Sequence, residues 1–415
     1  MTNKTSSNKY AINVITGQGG AGHYATYHAI KAIAEQRQLP WQFQVTDMDE
    51  IITKLSGQNK VKNAYDVFGF SAHDLYNSMV KRGWTWLWLL MMRLNKLLVK
   101  LNYKMGVSLF EQRWREQQPD LIVSVMPLFN KVIWESIQKA KPGTPVVTIL
   151  TDFADCPPAF WIEPETDNYL VCGTEKAVQQ ARSLGVKEDR IIKTSGLVVH
   201  PNFYKVNASP AVNGRGIRED RDSQRQKLGL APDCPTGLVM FGGNGSKVML
   251  DIAKRLECFQ DRLQLILICG RDRELASALR QSKGQQKRFV TTFTEDIPYY
   301  MRLADFFIGK PGNVSISEAI AMKLPVITEG NALTMAQEKY CCEWIKEKDV
   351  GIVISNFRDI KQAVAKLIRS GNYARYRVNL NNFDNQAVFE AIDCLQTILE
   401  QPQVTATRSK PVGTS

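Results

Sequence analysis

Residues 309–320 read Gly-Lys-Pro-Gly-Asn-Val-Ser-Ile-Ser-Glu-Ala-Ile, a glycine-bearing turn between the short apolar run Phe306, Phe307, Ile308 and a helical pattern. Such a turn presents backbone N–H groups at a helix N-terminus, where the macrodipole favours an anion such as a diphosphate. Glu318 falls on the first turns of that helix, placed to accept hydrogen bonds from neutral hydroxyls such as those of a ribose. Phosphate plus ribose means a nucleotide, and in a long α/β chain a nucleotide-sugar enzyme. A tight strand-to-helix turn without a ligand has the same residues, so both readings stand on this stretch alone.

Two further glycine loops follow apolar runs and open helices. Gly17-Gln18-Gly19-Gly20-Ala21-Gly22-His23 lets a backbone approach a ligand closely. Gly17, Gly19 and Gly22 fit the dinucleotide spacing, and Asp47 lies where a ribose-binding acid would, so a nicotinamide-dependent oxidoreductase is a competing reading. His23 at the helix start has the chemistry of a base, because the positive end of the dipole keeps an imidazole neutral; capping or helix packing is its plain role. Gly242-Gly243-Asn244-Gly245-Ser246 offers a second diphosphate cradle and is not a P-loop, since no Gly-Lys-Ser/Thr ending follows. Gln337 and Glu338 could hold sugar hydroxyls or simply start a helix. Asp152 and Asp155 are a carboxylate pair, but Asp152 closes a strand, where capping is common. No His/Cys/Asp cluster has metal-ligand spacing, and no Gly-x-Ser-x-Gly elbow occurs.

The elements that must position these loops alternate between buried strands and helices. Strands are expected at 11–15, 41–47, 121–126, 146–152 and 168–172, and a second series at 237–241, 263–269, 289–293, 306–308, 325–328 and 351–354. Two runs of βα units predict two doubly wound, Rossmann-like domains facing a cleft. The expected division is residues 1–205, a polar linker at 206–226, a second domain at 227–400 ending in a helix from Val388, and a polar tail at 401–415.

With 415 residues the chain has room for two cores, and 44% hydrophobic with 23% charged residues excludes a disordered chain. An excess of 53 Lys and Arg over 41 Asp and Glu gives +12, which suits a phosphorylated substrate or an anionic membrane surface. No nucleic-acid-binding signature accompanies it, so no nucleic-acid partner is expected. Eight cysteines without a framework read as reduced, packed thiols. The polar start has no secretory core, and the most apolar stretch, 84–92, is too short to span a bilayer. Trp84, Trp86 and Trp88 crowd beside Lys81, Arg82, Arg93, Lys96 and Lys100, a pairing of apolar bodies and cations suited to a lipid interface. A buried amphipathic helix explains the leucines but not three tryptophans in five residues. The expected location is therefore peripheral, on the cytoplasmic side of a membrane.

Taken in order, these motifs resemble those of the monogalactosyldiacylglycerol synthase and processive diacylglycerol glucosyltransferase group, glycosyltransferase family 28, over about residues 12–399. Gly19-Gly20-Ala21-Gly22-His23 matches the N-terminal loop; Tyr76-Asn77, Lys81-Arg82-Gly83 and Trp86 echo the acceptor stretch. Thr151-Asp152-Phe153 and the segment 196–203 follow in family order, then Gly242-Gly243-Asn244-Gly245, Ile268-Cys269-Gly270-Arg271, the donor motif from Lys310 to Ala319, and Gln337-Glu338. The resemblance implies a GT-B fold and inverting transfer of a hexose from a UDP-sugar, UDP-galactose or UDP-glucose, to a lipid acceptor such as diacylglycerol, with no required metal or other cofactor. It implies His23 as the catalytic residue. For the donor it implies Gly242, Gly243, Asn244, Gly270, Arg271, Phe293 against uracil, Gly312, Asn313, Ser315, Glu318 on ribose, and Gln337 and Glu338 on the hexose. Gly19, Gly20, Gly22, Arg82, Trp84, Trp86 and Trp88 would face acceptor and membrane. Three departures stand out: Asn313-Val314 replaces a family glycine or proline-glycine, Thr292 replaces a glycine, and the histidine of a His-x-x-Trp motif is missing from the segment ending in Phe160-Trp161. Competing readings are a UDP-N-acetylglucosamine transferase acting on a polyprenyl-linked precursor, a UDP-sugar epimerase, and a non-catalytic sugar-nucleotide or lipid-binding protein.

Overall fold

The computed structural model describes residues 9–17, 21–58, 97, 100–205, 215–282 and 284–401. The loop residues Gly19 and Gly20, and Arg82, Trp84, Trp86 and Trp88 of the tryptophan-rich segment, lie outside them.

Among the described residues, twelve strands form two six-stranded parallel sheets. The first contains β1 (Tyr10–Thr16), β2 (Trp41–Asp47), β3 (Leu121–Ser124), β4 (Val146–Ile149), β5 (Tyr169–Cys172) and β6 (Ile191–Lys193), in the order β2-β1-β3-β4-β5-β6. The second contains β7 (Thr236–Met240), β8 (Gln264–Ile268), β9 (Arg288–Thr291), β10 (Phe306–Gly309), β11 (Val326–Glu329) and β12 (Gly351–Ile354), in the order β12-β11-β10-β7-β8-β9. Central strands such as β3, β4, β8 and β10 are buried at every position, as expected where helices cover both faces. Each sheet changes direction once, between β1 and β3 and between β7 and β10, and ligands of such sheets bind beyond the carboxyl ends of the strands at that switch point.

The sequence pattern places eleven of these strands and misses β6. That strand is three residues long and nowhere fully buried, so it lacks the apolar run that marks the others. The linker reading also needs correction. Residues 206–214 lie outside the described ones, and Arg215–Lys227, the later part of the expected linker, is a helix. It carries no apolar stripe because guanidinium groups fasten it: Arg225, 2% exposed, donates from Nε to the Leu303 carbonyl (2.9 Å) and from Nη2 to Asp305 (2.9 Å), while Arg221 donates to the Arg302 carbonyl (2.9 Å) and to Asp305 (2.6 Å).

The last helix, Ala387–Glu400, does not belong to the second domain's core, as the division at 227–400 has it. Its residues Ala387, Val388, Ala391, Ile392 and Leu395 pack with Ile12, Val14, Ile30 and Ile33 beneath the first sheet. Asn385 Nδ2 donates to the Leu197 carbonyl (2.9 Å) just before this crossing, and the Ser195 N–H and hydroxyl both donate to Glu390 (2.7 and 3.0 Å). Phe153, Leu197, Val199 and Phe203 from the first half join an apolar cluster with Met301, Ile316, Trp344 and Ile345 of the second. The two sheets are thus joined at the back by apolar packing and a returning helix, which leaves the two switch points facing each other.

Candidate active site

On the first sheet, β1 ends at Thr16 and helix α1 (Ala21–Gln36) begins after the glycine loop. His23 is its third residue. Its ring centroid lies 6.1 Å from that of Trp161. Nδ1 is buried without a hydrogen-bond partner among the described residues, and the Val125 backbone, just past β3, is a polar neighbour of the ring. Burial drives the imidazole pKa down to about 4, with the Val125 backbone opposing, so the ring is neutral across the physiological range. A neutral imidazole that keeps its proton on Nδ1 leaves the Nε2 lone pair to act as a base.

Trp161, fully buried, is fixed by its surroundings. Its backbone N–H donates to Asp155 Oδ1 (2.6 Å), its carbonyl accepts from Asn130 Nδ2 (3.0 Å), and its Nε1–H donates to Asp152 Oδ2 (2.7 Å). Asp155 also accepts from the N–H groups of Ala159 (2.8 Å) and Phe160 (2.9 Å). Asp155 is therefore the backbone cap of this loop, and Asp152 is not. Both Asp152 oxygens accept from side chains, Oδ2 from Trp161 and Oδ1 from Asn313 Nδ2 of the other domain at 2.6 Å. Burial raises the Asp152 pKa to about 7 against the two hydrogen bonds that lower it, with Glu338 and Asp155 adding negative field. Sequence reasoning discounted Asp152 as a strand-end cap. Its neighbours in the site come from residues 161 and 313, and no local spacing could have shown that.

On the second sheet, the turns after β7, β8 and β10 meet. Gly245 (φ +66°) and Gly270 (φ +59°) occupy the left-handed region. A Cβ on Gly270 would lie 2.4 Å from the Gly243 carbonyl oxygen, and one on Gly245 2.3 Å from that of Cys269. The Arg271 N–H donates to the Gly243 carbonyl (2.9 Å), locking the two turns together. The Arg271 guanidinium lies 4.5 Å from the centroid of Phe293, a ring left 47% exposed just beyond β9. Asn244 at the tip of the first turn is exposed.

The third turn opens the helix Asn313–Ala321. Gly312 occupies its N-cap without a side-chain hydrogen bond, and no acidic residue sits in the first turn. The leading N–H groups of a helix have no intrahelical acceptor, so this end carries unopposed positive potential. Lys310 bridges the turns: its Cε lies 3.8 Å from where a Cβ on Gly242 would stand and 3.4 Å from one on Gly312, and its Nζ bonds Glu338 Oε1 at 3.1 Å. Asn313 Nδ2 also donates to the Gln337 carbonyl (3.2 Å), which ties the helix start to the helix Ala336–Glu347. Ser315 lies in the first turn and is partly exposed. Glu318, one turn further, is pushed up to about 8 by burial and has no hydrogen-bond or ion-pair partner among the described residues.

The two switch points touch. A Cβ on Gly22 would lie 2.8 Å from Val314 Cγ2, so the start of α1 packs directly on the start of the helix Asn313–Ala321. The structure thus brings His23 and Gly22 together with Gly312, Asn313, Gln337 and Glu338 through Trp161 and Asp152, and Gly242, Gly243, Gly270, Arg271 and Phe293 line the adjoining turns. Among the described residues, no group of three or more His, Cys, Asp or Glu is arranged to hold a metal ion. A cavity of about 560 Å³ lies elsewhere, at the amino ends of β7 and β10 against Arg221, Arg225, Asp305 and Tyr373. The strand ends opposite to it carry the glycine turns, the end at which sheets of this kind bind ligands.

Comparison with known proteins agrees with this geometry. The family model described as monogalactosyldiacylglycerol (MGDG) synthase matches residues 58–199, and the glycosyltransferase family 28 C-terminal domain matches residues 238–340. The chain is 28% identical over 302 residues to a probable chloroplastic monogalactosyldiacylglycerol synthase 2 of Oryza sativa subsp. japonica, covering 70% of this chain and 61% of the relative. It is 24% identical over 321 residues to the processive diacylglycerol beta-glucosyltransferase of Bacillus subtilis (strain 168), covering 76% of this chain and 78% of the relative. The chain therefore spans about three fifths of the length of the rice relative. Among solved structures, Acinetobacter baumannii MurG superposes with a TM-score of 0.58 at 12% identity, over 94% of this chain and 100% of that one. The UDP-GlcNAc 2-epimerase of Neisseria meningitidis bound to UDP-GlcNAc superposes at 0.56 with 13% identity, over 93% and 100%. At such identities these two structures speak for the fold alone. No helix among the described residues is long and apolar enough to cross a membrane. With both halves matched in order on a GT-B fold, the chain resembles, over most of its length, the glycosyltransferase family 28 group that contains the monogalactosyldiacylglycerol synthases and processive diacylglycerol glucosyltransferases.

Proposed function

We propose that this chain transfers a hexose from a UDP-sugar to diacylglycerol, with inversion at the anomeric carbon and without a required metal. The observation that carries this reading is the contact between the two switch points: a neutral histidine on one domain faces, through Gly22 and Val314, the uncapped helix start on the other. The glycine turns and the helix start would hold the diphosphate through backbone N–H groups. Lys310 and Arg271 would add charge against the leaving UDP. Glu318 has no donor of its own, and a ribose diol would supply two, which would return the carboxylate to its charged form. Phe293 offers uracil an exposed ring.

In the transfer step, His23 Nε2 takes the proton of the acceptor hydroxyl as its oxygen attacks the anomeric carbon. The bond from that carbon to the diphosphate oxygen breaks, and UDP leaves with the electron pair toward the helix N-terminus. Attack by the acceptor oxygen from the face opposite the departing UDP is a single displacement and inverts the anomeric carbon. The names of the plant and bacterial relatives support a galactosyl or glucosyl donor and diacylglycerol as acceptor. Leu97 and Leu101, 50% and 72% exposed just after the tryptophan-rich segment, continue its apolar character and support a peripheral seat on an anionic, cytoplasmic membrane face.

The direct test incubates the purified chain with a panel of UDP-sugars and diacylglycerol in vesicles, followed by mass analysis of the lipids. A hexosyl-diacylglycerol from UDP-galactose or UDP-glucose is expected. UDP-sugar turnover with no lipid product from any donor contradicts the reading. For the membrane seat, joint replacement of Trp84, Trp86 and Trp88 by Ala should reduce sedimentation with anionic vesicles at least about tenfold, and unchanged sedimentation rejects it.

A further inference from the structure

The geometry points to Asp152 as a positioning residue for transfer: one carboxylate ties the donor turn of the second domain to the tryptophan that seats His23 in the first. This rests on the functional reading above and adds to it a residue that touches neither sugar nor nucleotide.

The argument begins with what the position demands. Two N–H groups converge on Asp152 from different domains, the Trp161 indole on Oδ2 at 2.7 Å and the Asn313 amide on Oδ1 at 2.6 Å. Only a side chain with two acceptor atoms and no donor satisfies both, and an ionised carboxylate is that group. The cost is large, since the residue is 9% exposed and burial pushes its pKa up to about 7. Simple loop closure does not account for it, because Asp155 already holds the backbone of 159–161. Asp152 instead carries the link onward. Trp161 lies against the His23 ring, and Asn313 is the first residue of the helix whose N-terminus meets the diphosphate in this reading. Any movement of the donor turn is therefore transmitted through a rigid acceptor to the base, fixing His23 relative to the anomeric carbon. Misplacement of about 1 Å at such a point costs on the order of 10²-fold in rate.

Asp152→Asn tests this at constant volume. An amide offers one acceptor and turns the other arm into N–H facing N–H, so one of the two bonds must fail. The expected result is a fall of roughly 10²-fold in the transfer rate at saturating UDP-sugar and diacylglycerol, with a change below about threefold in UDP affinity by calorimetry. The double variant Asp152→Asn, Asn313→Asp restores a donor–acceptor pair, because the new amide donates to the new carboxylate, and should recover part of the rate. It cannot recover all of it, since Asn313 Nδ2 also donates to the Gln337 carbonyl. A lower melting temperature with an unchanged rate per folded molecule would reduce Asp152 to a structural role and overturn the proposal. A second readout is independent of turnover: UDP added to the wild type should shift the ring resonances of His23, and the shift should be lost in Asp152→Asn while UDP still binds. An equal shift in both proteins overturns the link. If the wild type transfers hexose to no lipid, the functional reading falls, and this second readout alone decides the role of Asp152.

Discussion

The two switch points solve opposite problems with opposite materials. On the second sheet, the proposed recognition is built from backbone: three glycine turns, with Gly242, Gly245 and Gly270 in the left-handed region, and a helix start left uncapped. On the first sheet, it is built from side chains, with a neutral histidine beside a tilted indole that in turn donates to a buried carboxylate. A diphosphate is recognised well by fixed dipoles that need no proton to move. An acceptor hydroxyl must lose a proton, and only a titratable side chain can take it. In the proposed function binding falls to one domain and proton transfer to the other, and each variant below should disturb one and spare the other.

The largest effect is expected at His23. Its replacement by Ala should lower the rate of lipid glycosylation by about 10²- to 10⁴-fold, measured as product per folded molecule; a rate within threefold of wild type would remove the base from the first sheet. Next comes the backbone of the second sheet. Gly270→Ala places a Cβ 2.4 Å from the Gly243 carbonyl in a residue at positive φ, so the paired turns must separate. A stability loss of roughly 1–3 kcal/mol is expected, together with a weaker UDP complex in calorimetry, and unchanged UDP affinity would mean the turns do not cradle phosphate. Glu318→Ala follows, with UDP affinity reduced about tenfold through two lost hydrogen bonds and a stability that does not fall, because an unpartnered buried carboxyl is removed. Equal affinity in variant and wild type would take Glu318 out of the ribose site.

The smallest effect is a pH signature confined to the first sheet. Folding lowers the His23 pKa from 6.5 to about 4, so the unfolded chain takes up that proton first. The histidine's contribution to stability is therefore fully present above pH 6.5 and is lost as pH falls toward 4. Urea melts of wild type and His23→Ala should diverge over that window, with the wild type losing more, and the His23 ring signal should titrate near 4. Titration near 6.5 would place the ring in water.

The same contrast explains what could be read from the chain. Glycine turns at strand ends follow local spacing, so the positions from Gly242 to Gly245 and Gly312 are visible, Gly270 enters only through the family resemblance, and the alternation of apolar runs gives eleven of the twelve strands among the described residues. The short β6 escaped because three partly exposed residues carry no period. The helix Arg215–Lys227 escaped because its anchors are Arg221 and Arg225 on Asp305, and buried guanidinium groups look like a solvated linker in sequence. Helix Ala387–Glu400 was visible as a helix but not as a return to the first sheet, since amphipathicity does not name the face it packs on. Asp152 was hidden for the same reason: its partners are 9 and 161 residues away, and a strand-end aspartate looks like a cap.

The division of labour between the two sheets is the central claim, and UDP calorimetry on His23→Ala tests it most directly. With glycosylation lost, the variant should bind UDP with an affinity within about threefold of wild type, because every group assigned to the diphosphate, ribose and base lies on the second sheet. A parallel collapse of UDP affinity would show that His23 supports the donor site, and the assignment of proton transfer to the first sheet would be contradicted.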